Sequence, residues 1–329
     1  MTKKDHRDHS EPDHYQHIQH IFKGQAPLID DLKRNLAFYN ALKRHVTPGS
    51  SVVDIGAGTG LWSIAAAHLG AKRVLAIERD EFLIPVIRNL VRENRVADRV
   101  EVVHGLSNEI TPSGKFDVAI SETIGNQVFD ELIVPNMIDA RKRFLKPGGV
   151  LIPSSVALAV APAIYKKNKH TPAGVPLEYG YFESLNVNMP VLENNKSRLK
   201  LLSEARELIR VDLTKVKKPP ELNDLSARWE IKDTTGMNCF AVWGSMALTE
   251  GITLTTYETS SWSPIIYMIK PFKERAGELE LKFSLLTKNY YWTATLSNKQ
   301  GRETQSHSPV FTYTSLFTHA KMLEKTKKS

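Results

Sequence analysis

The stretch VVDIGAGTGLWSIAAAH sets Gly56, Gly58 and Gly60 between a strand-like apolar run and a helix-like one. Glycines there lack Cβ atoms, so a ligand can approach the backbone, and the helix N-terminus offers unpaired N–H groups. A dinucleotide-binding turn needs G-x-G-x-x-G, but here the third glycine comes one residue early and Leu61 stands in its place. Asp54, just ahead of the turn, would repel a pyrophosphate and suits a ligand bearing an ammonium or sulfonium group. Glu78 ends the next apolar run, VLAIE, where a carboxylate can accept hydrogen bonds from ribose hydroxyls. Further on, SETIGNQVFDE carries Glu122 and Glu131 on either side of Gly125. Carboxylates that converge repel each other, so this spacing calls for a cation between them.

Alternating elements must position these residues. PLIDDLKRNLAFYNALKRH reads as a helix from Pro27, with Leu28, Leu32, Phe38 and Leu42 at helical spacings. SVVDIG, RVLAIE, RVEVVHG and FDVAISE read as buried strands, separated by the helical runs LWSIAAAHLG and EFLIPVIRNLVREN. LIVPNMIDARKRFLKPGG is helical up to its Pro-Gly-Gly stop. This order predicts an α/β domain over 15–152, a parallel sheet with helices on both faces. Beyond Pro153 short strand-like runs such as CFAVWGSMAL, ELELKFSLLT and YYWTATL predict a β domain of sandwich or barrel type over 153–320. Residues 1–14 read as a disordered lead, 166–200 as an excursion from the β domain, and 321–329 as a basic tail.

At 329 residues the chain has room for about two domains. The net charge of +8 is carried by scattered lysines and arginines, which read as a solvated surface rather than a nucleic-acid interface. Cys239 is the only cysteine, which excludes an intrachain disulfide and any multi-cysteine zinc site and fits a reducing cytoplasm. His6, His9, His14, His17 and His20 lack a ligand-spacing motif, so no metal site is expected. The N-terminus has charge but no apolar core of a secretory signal, and the run at 150–164 is too short and broken to span a bilayer.

Asp54, the glycine turn, Glu78 and the alternating topology together resemble the class I S-adenosylmethionine-dependent methyltransferases, and FLKPGGVLIP resembles the segment leading into their late strands. Within that class, Ser121, Glu122, Gly125 and Glu131 match without a gap the double-glutamate loop S-E-x-x-G-x-x-x-x-x-E of the protein arginine methyltransferases. The resemblance implies a seven-stranded Rossmann-like domain followed by a β-barrel-like domain, S-adenosylmethionine as cofactor, and a guanidinium held by Glu122 and Glu131. It also implies that Arg34 binds the cofactor carboxylate, with Asp31 one turn before it, and that the HGLSNEI segment holds the adenine through Ser107 and Asn108 or Glu109. A homodimer formed through an arm, for which 166–200 is the candidate, belongs to the same implication.

The acceptor half departs from the family. Its Thr-His-Trp loop has as counterpart Ser260-Ser261-Trp262, so serine replaces the histidine while Trp262 can still wall the pocket. Gln25 stands at an N-terminal histidine position, Tyr15 and Gln19 at two tyrosine positions, and Thr123, Ile124 and Asn126 replace aromatic and methionine residues. The expected acceptor is therefore an arginine-containing protein or, alternatively, a small cationic amine or guanidine. A catalytically weak S-adenosylmethionine-binding partner protein is the non-enzymatic alternative. RNA is disfavoured because no N-P-P-Y-like sequence or aromatic-rich basic element is present.

Overall fold

In the computed structural model, which describes residues 14–167, 173–179, 189–285 and 290–307, five apolar runs form parallel strands. These are β1 (Ser51–Ile55), β2 (Arg73–Glu78), β3 (Val100–His104), β4 (Phe116–Ser121) and β5 (Leu145–Ile152). Their order is β3-β2-β1-β4-β5. Every residue of β1 is buried, as expected of a strand covered on both faces. The crossovers are α3 (Leu61–His68) and α4 (Leu83–Glu93), and α5 (Ile133–Asp139) with a π-helical turn at Ala140–Phe144 leads into β5. Strand order reverses between β1 and β4, and in open α/β sheets ligands bind beyond the carboxyl ends of strands at such a switch point. The glycine turn follows β1 and Glu122 follows β4.

This parallel sheet has five strands among the described residues, where the resemblance implied seven. The chain leaves it at the end of β5, and the next strand, β6 (Ser155–Tyr165), pairs with antiparallel partners instead. The helical text also starts earlier than Pro27. Helix α1 runs His14–Asp30 with Pro27 inside it, and α2 runs Leu32–His45. Phe38 and Leu42 are fully buried as the periodicity predicts, whereas Leu32 is exposed, because it opens α2 just after the capping residue Asp31.

Residues Met1–Glu122 with Asp139–Ile152 cluster as one unit, and Thr123–Ile138 with Pro153–Ser329 as a second. Residues 123–138, which sequence order puts inside the α/β domain, thus group with the β-rich part.

The second unit is antiparallel throughout. One sheet has the order β10-β14-β15-β16, built from β10 (Leu225–Ile231), β14 (Gly277–Leu285), β15 (Tyr290–Asn298) and β16 (Gly301–His307). The other is centred on β6 and β11 (Cys239–Thr249), with β7 (Val191–Leu192), β8 (Leu199–Leu201), β9 (Arg206–Asp212), β12 (Ile252–Thr255) and β13 (Ile265–Met268) beside them. One core joins the two sheets: Leu158, Phe240 and Tyr267 from the second pack with Trp229, Leu281 and Trp292 from the first. Two antiparallel sheets sharing one interior give the barrel-like domain.

Of the lead read over 1–14, residues 1–13 lie outside the described residues and His14 opens α1; the tail at 321–329 lies outside them too, as do 168–172 and 180–188 of the excursion. Among the described residues no helix is long and apolar enough to cross a membrane, and no cluster of metal-ligating side chains occurs.

Candidate active site

The glycine turn is held open by its own backbone and by Glu78. Gly56, Gly58 and Gly60 have φ of 73°, 59° and 83°, the left-handed region that side-chain-bearing residues avoid. A Cβ on Gly58 would lie 3.1 Å from Oε1 of Gln25 in α1, so that helix lies against the turn. The Gly58 N–H donates to Oε2 of Glu78 at 2.8 Å, and the Asp80 N–H donates to Oε1 at 2.9 Å. Glu78 is 6 % exposed. A carboxylate offers about four acceptor sites, so two backbone donors leave capacity for hydroxyls.

Asp54 is fully buried in β1. Its Oδ2 accepts from Ser63 Oγ at 2.7 Å, while Oδ1 has no hydrogen-bond partner among the described residues. Burial, reinforced by the negative charge of Glu78, pushes its carboxyl up to about 7, against the hydrogen bonds from Ser63. A carboxyl raised in the folded state keeps its proton where the unfolded chain has lost it, so it withdraws stability as pH rises from about 4 to about 7. Asp54→Asn removes that term. The stability of the variant relative to the parent is expected to increase between pH 5 and 8, on the order of a few kcal/mol. Denaturant titrations at several pH values check this, and a constant difference would refute the shift.

Arg34 and Glu122 form a buried ion pair within the first unit. The Arg34 Nη2 donates to Glu122 Oε2, and the two side chains are 3 % and 8 % exposed. Arg34 Nη1 donates to the Leu28 carbonyl at 2.9 Å and to Asn35 Oδ1 at 2.8 Å, and the guanidinium lies 5.5 Å from the ring centre of Trp62. Asp31 is buried, and its Oδ1 accepts the Arg34 backbone N–H at 3.0 Å as the cap of α2. It is therefore the capping residue of α2. The Ser121 hydroxyl donates to the Ile55 carbonyl at 2.8 Å, tying the start of the acidic loop to β1.

Ser107 is buried, with its carbonyl accepting from Arg143, and Asn108 beside it is exposed. The first unit thus brings together Arg34 with Glu122, and Glu78 with the glycine turn. Glu131 and Trp262 belong to the second unit, Glu131 exposed and Trp262 only 5 % exposed. Sequence reasoning missed Ser63 and Trp62, and read Asn126 only as a departure from the family's loop. Ser63 was legible in principle, since it stands in the first turn of the helix after the glycines. Trp62, stacked 5.1 Å from Phe38, and Asn126, bonded to Ser263, depend on tertiary contacts that no local pattern signals.

Comparison with known proteins gives matches over both part and most of the chain. Residues 37–171 match the family model described as ribosomal protein L11 methyltransferase (PrmA). An arginine N(omega)-methyltransferase of Streptomyces achromogenes subsp. streptozoticus is 29 % identical over 271 residues, covering 76 % of this chain and 72 % of that protein. A probable protein arginine N-methyltransferase 6.1 of Oryza sativa subsp. indica is 37 % identical, but over 151 residues, which is 45 % of this chain and 39 % of the rice protein. Among solved structures, the Trypanosoma brucei PRMT1 enzyme-prozyme heterotetrameric complex with AdoHcy superposes with a TM-score of 0.72 at 17 % identity, covering 87 % of this chain and 98 % of that one. Arabidopsis thaliana protein arginine methyltransferase 10 gives 0.71 at 20 % identity, covering 87 % and 97 %. At such identities these two structures speak to the fold alone.

Proposed function

Taking the chain as a class I S-adenosylmethionine-dependent methyltransferase related to the protein arginine N-methyltransferases, we propose that it methylates a guanidinium nitrogen held by Glu122 and Glu131. The observation that carries this reading is the Arg34–Glu122 pair, since Glu122 already receives a guanidinium in a desolvated setting. An acceptor arginine offers Glu122 the same group.

The residues present fit the cofactor. Glu78 has acceptor capacity left for ribose hydroxyls, the three glycines of the turn bring no Cβ of their own, and among the described residues the buried Oδ1 of Asp54 is an acceptor without a donor. Arg34, which pairs with Glu122, would share its cation with the cofactor carboxylate, and Ser107 with Asn108 would flank the adenine end. When bound, S-adenosylmethionine supplies an electrophilic methyl group on its sulfonium. The chain's own residues do the rest by position and charge. A guanidinium is protonated at any working pH, and its nitrogens are poor nucleophiles in water. Two carboxylates draw positive charge toward the nitrogens they face, leaving the third better able to attack, and loss of one N–H proton completes the transfer.

A second reading has a specific observation in its favour. The relative whose match extends over most of this chain is named for arginine, whereas the rice protein, named for protein arginine, matches over less than half. A small guanidine such as free arginine is therefore a serious acceptor. The experiment incubates the purified chain and labelled S-adenosylmethionine with free arginine, an arginine-rich peptide, and the protein, RNA and small-molecule fractions of a cell extract. Methylarginine in hydrolysed protein supports a protein acceptor, and label confined to free arginine or another small guanidine supports the second reading. Label on neither defeats both. In parallel Glu78→Ala is expected to weaken cofactor binding at least tenfold by calorimetry, and an unchanged affinity would dismiss the ribose role. Assembly as a homodimer through 166–200 belongs to the same proposal, and a sedimenting species of monomer mass only would overturn it.

A further inference from the structure

The acidic loop is anchored in the β-rich unit at every residue from Asn126 to Val128. Gly244 of β11 donates its N–H to the Asn126 carbonyl at 3.2 Å, and Thr256 Oγ1 donates to the same carbonyl at 2.8 Å. The Asn126 side chain turns the other way, its Oδ1 accepting the Ser263 backbone N–H at 2.7 Å. Gln127 Nε2 donates to the hydroxyl of Tyr267, itself buried in the barrel-like core, at 2.7 Å. Val128 is fully buried and fills the space above Gly244, where a Cβ would lie 1.8 Å from Val128 Cγ2. Asp130 closes the loop: its carboxylate accepts the Gln127 N–H at 3.2 Å and sits over Gly125, where a Cβ would meet it at 2.5 Å.

These anchors hold strained backbone. Val128 and Leu132 have φ of 69° and 65°, a region costly for a β-branched or bulky residue, and they stand on either side of Glu131. Such strain persists only where the surroundings over-determine it, and it concentrates where a side chain must be aimed. The apolar plug and Gln127 account for holding the loop down. The Asn126–Ser263 bond does something else, since Ser263 directly follows Ser260-Ser261-Trp262, the segment with serine where a histidine was expected. Asn126 ties Glu131's loop to the residue that follows that segment through its side-chain carbonyl.

We propose that Asn126 is a positioning residue for Glu131, fixing the acidic loop to the residue after the Ser-Ser-Trp segment through its side-chain carbonyl. The inference rests on the reading of Glu131 as an acceptor-binding carboxylate. Its test is a double-mutant cycle with the full chain, labelled S-adenosylmethionine and, as acceptor, free arginine or the arginine-rich peptide, whichever takes up label, using Asn126→Ala, Glu131→Gln and the pair. Asn126→Ala is expected to lower kcat/KM about 10²-fold, the scale set by a misplacement of about 1 Å, while cofactor affinity by calorimetry stays at the parent value. Because Asn126 acts through Glu131, the double variant is expected to be no slower than Glu131→Gln alone. Asn126→Asp, which keeps an acceptor for the Ser263 N–H, is expected to recover a large part of the lost rate. Should the alanine variant fail to fold, Asn126→Ser takes its place in the cycle. If Glu131→Gln is slowed and the Asn126 loss multiplies with it in the double variant, or if Asn126→Ala is as fast as the parent, this inference fails and the role of Glu131 stands. A fully active Glu131→Gln defeats that role, and this inference with it.

Discussion

Glu131→Gln is expected to fold with the stability of the parent, bind S-adenosylmethionine with the same affinity, and transfer methyl groups about 10² to 10³ times more slowly. The size is that of removing one charged group aimed at the reacting cation, since Gln keeps the shape of the side chain but not its charge. The intact fold follows from exposure: Glu131 lies on the surface, and exposed substitutions usually change stability by less than about 0.5 kcal/mol. This makes Glu131 a cleaner probe than Glu122, whose buried pairing mixes catalysis with folding. Single-turnover transfer to a cationic acceptor, with thermal unfolding and calorimetry as controls, makes the measurement. A variant as fast as the parent would sink the idea that two carboxylates hold the acceptor.

Arg34→Ala is expected to be the most destabilising of the substitutions considered. It removes one partner of a buried ion pair and leaves Glu122 charged or forced to take up a proton, a loss of about 3–5 kcal/mol by analogy with other such pairs. The packing against Trp62 goes with it. Replacing both partners by apolar residues of similar size, Arg34→Met with Glu122→Leu, is expected to recover much of the stability and none of the activity. Denaturant unfolding of the three variants reads the first effect and methyl transfer the second. If Arg34→Ala unfolds at the same denaturant concentration as the parent, the pair is not formed in solution.

Much of the first unit was legible because its signals are local. A fully apolar strand announces a parallel sheet, and Gly56, Gly58 and Gly60 announce a turn whose backbone takes positive φ. Both follow from side-chain periodicity and from the absence of a Cβ, which neighbouring residues alone decide. Glu78 was read as a carboxylate at a strand end, and it stands there, but its hydrogen bonds to Gly58 and Asp80 could not be inferred from spacing. Asp31 shows the limit on a single helix. The spacing to Arg34 was right, yet whether the carboxylate meets the side chain or caps the backbone depends on where α1 ends, and α1 was expected to start at Pro27.

The sequence by itself determined the alternating α/β order, the change of grammar near Pro153, the glycine turn with its two acids, and the spacing of Glu122, Gly125 and Glu131. Tertiary structure alone decided that the parallel sheet has five strands among the described residues, that Glu122 pairs with Arg34, and that the loop from 123 onward groups with the β-rich unit rather than with its sequence neighbours. The physical reason is the range of the forces involved. Strand and turn propensities act within a few residues, whereas the partner of a buried charge and the cavity that accepts Val128 above Gly244 come from segments about a hundred residues away, brought together only by burial of a common core.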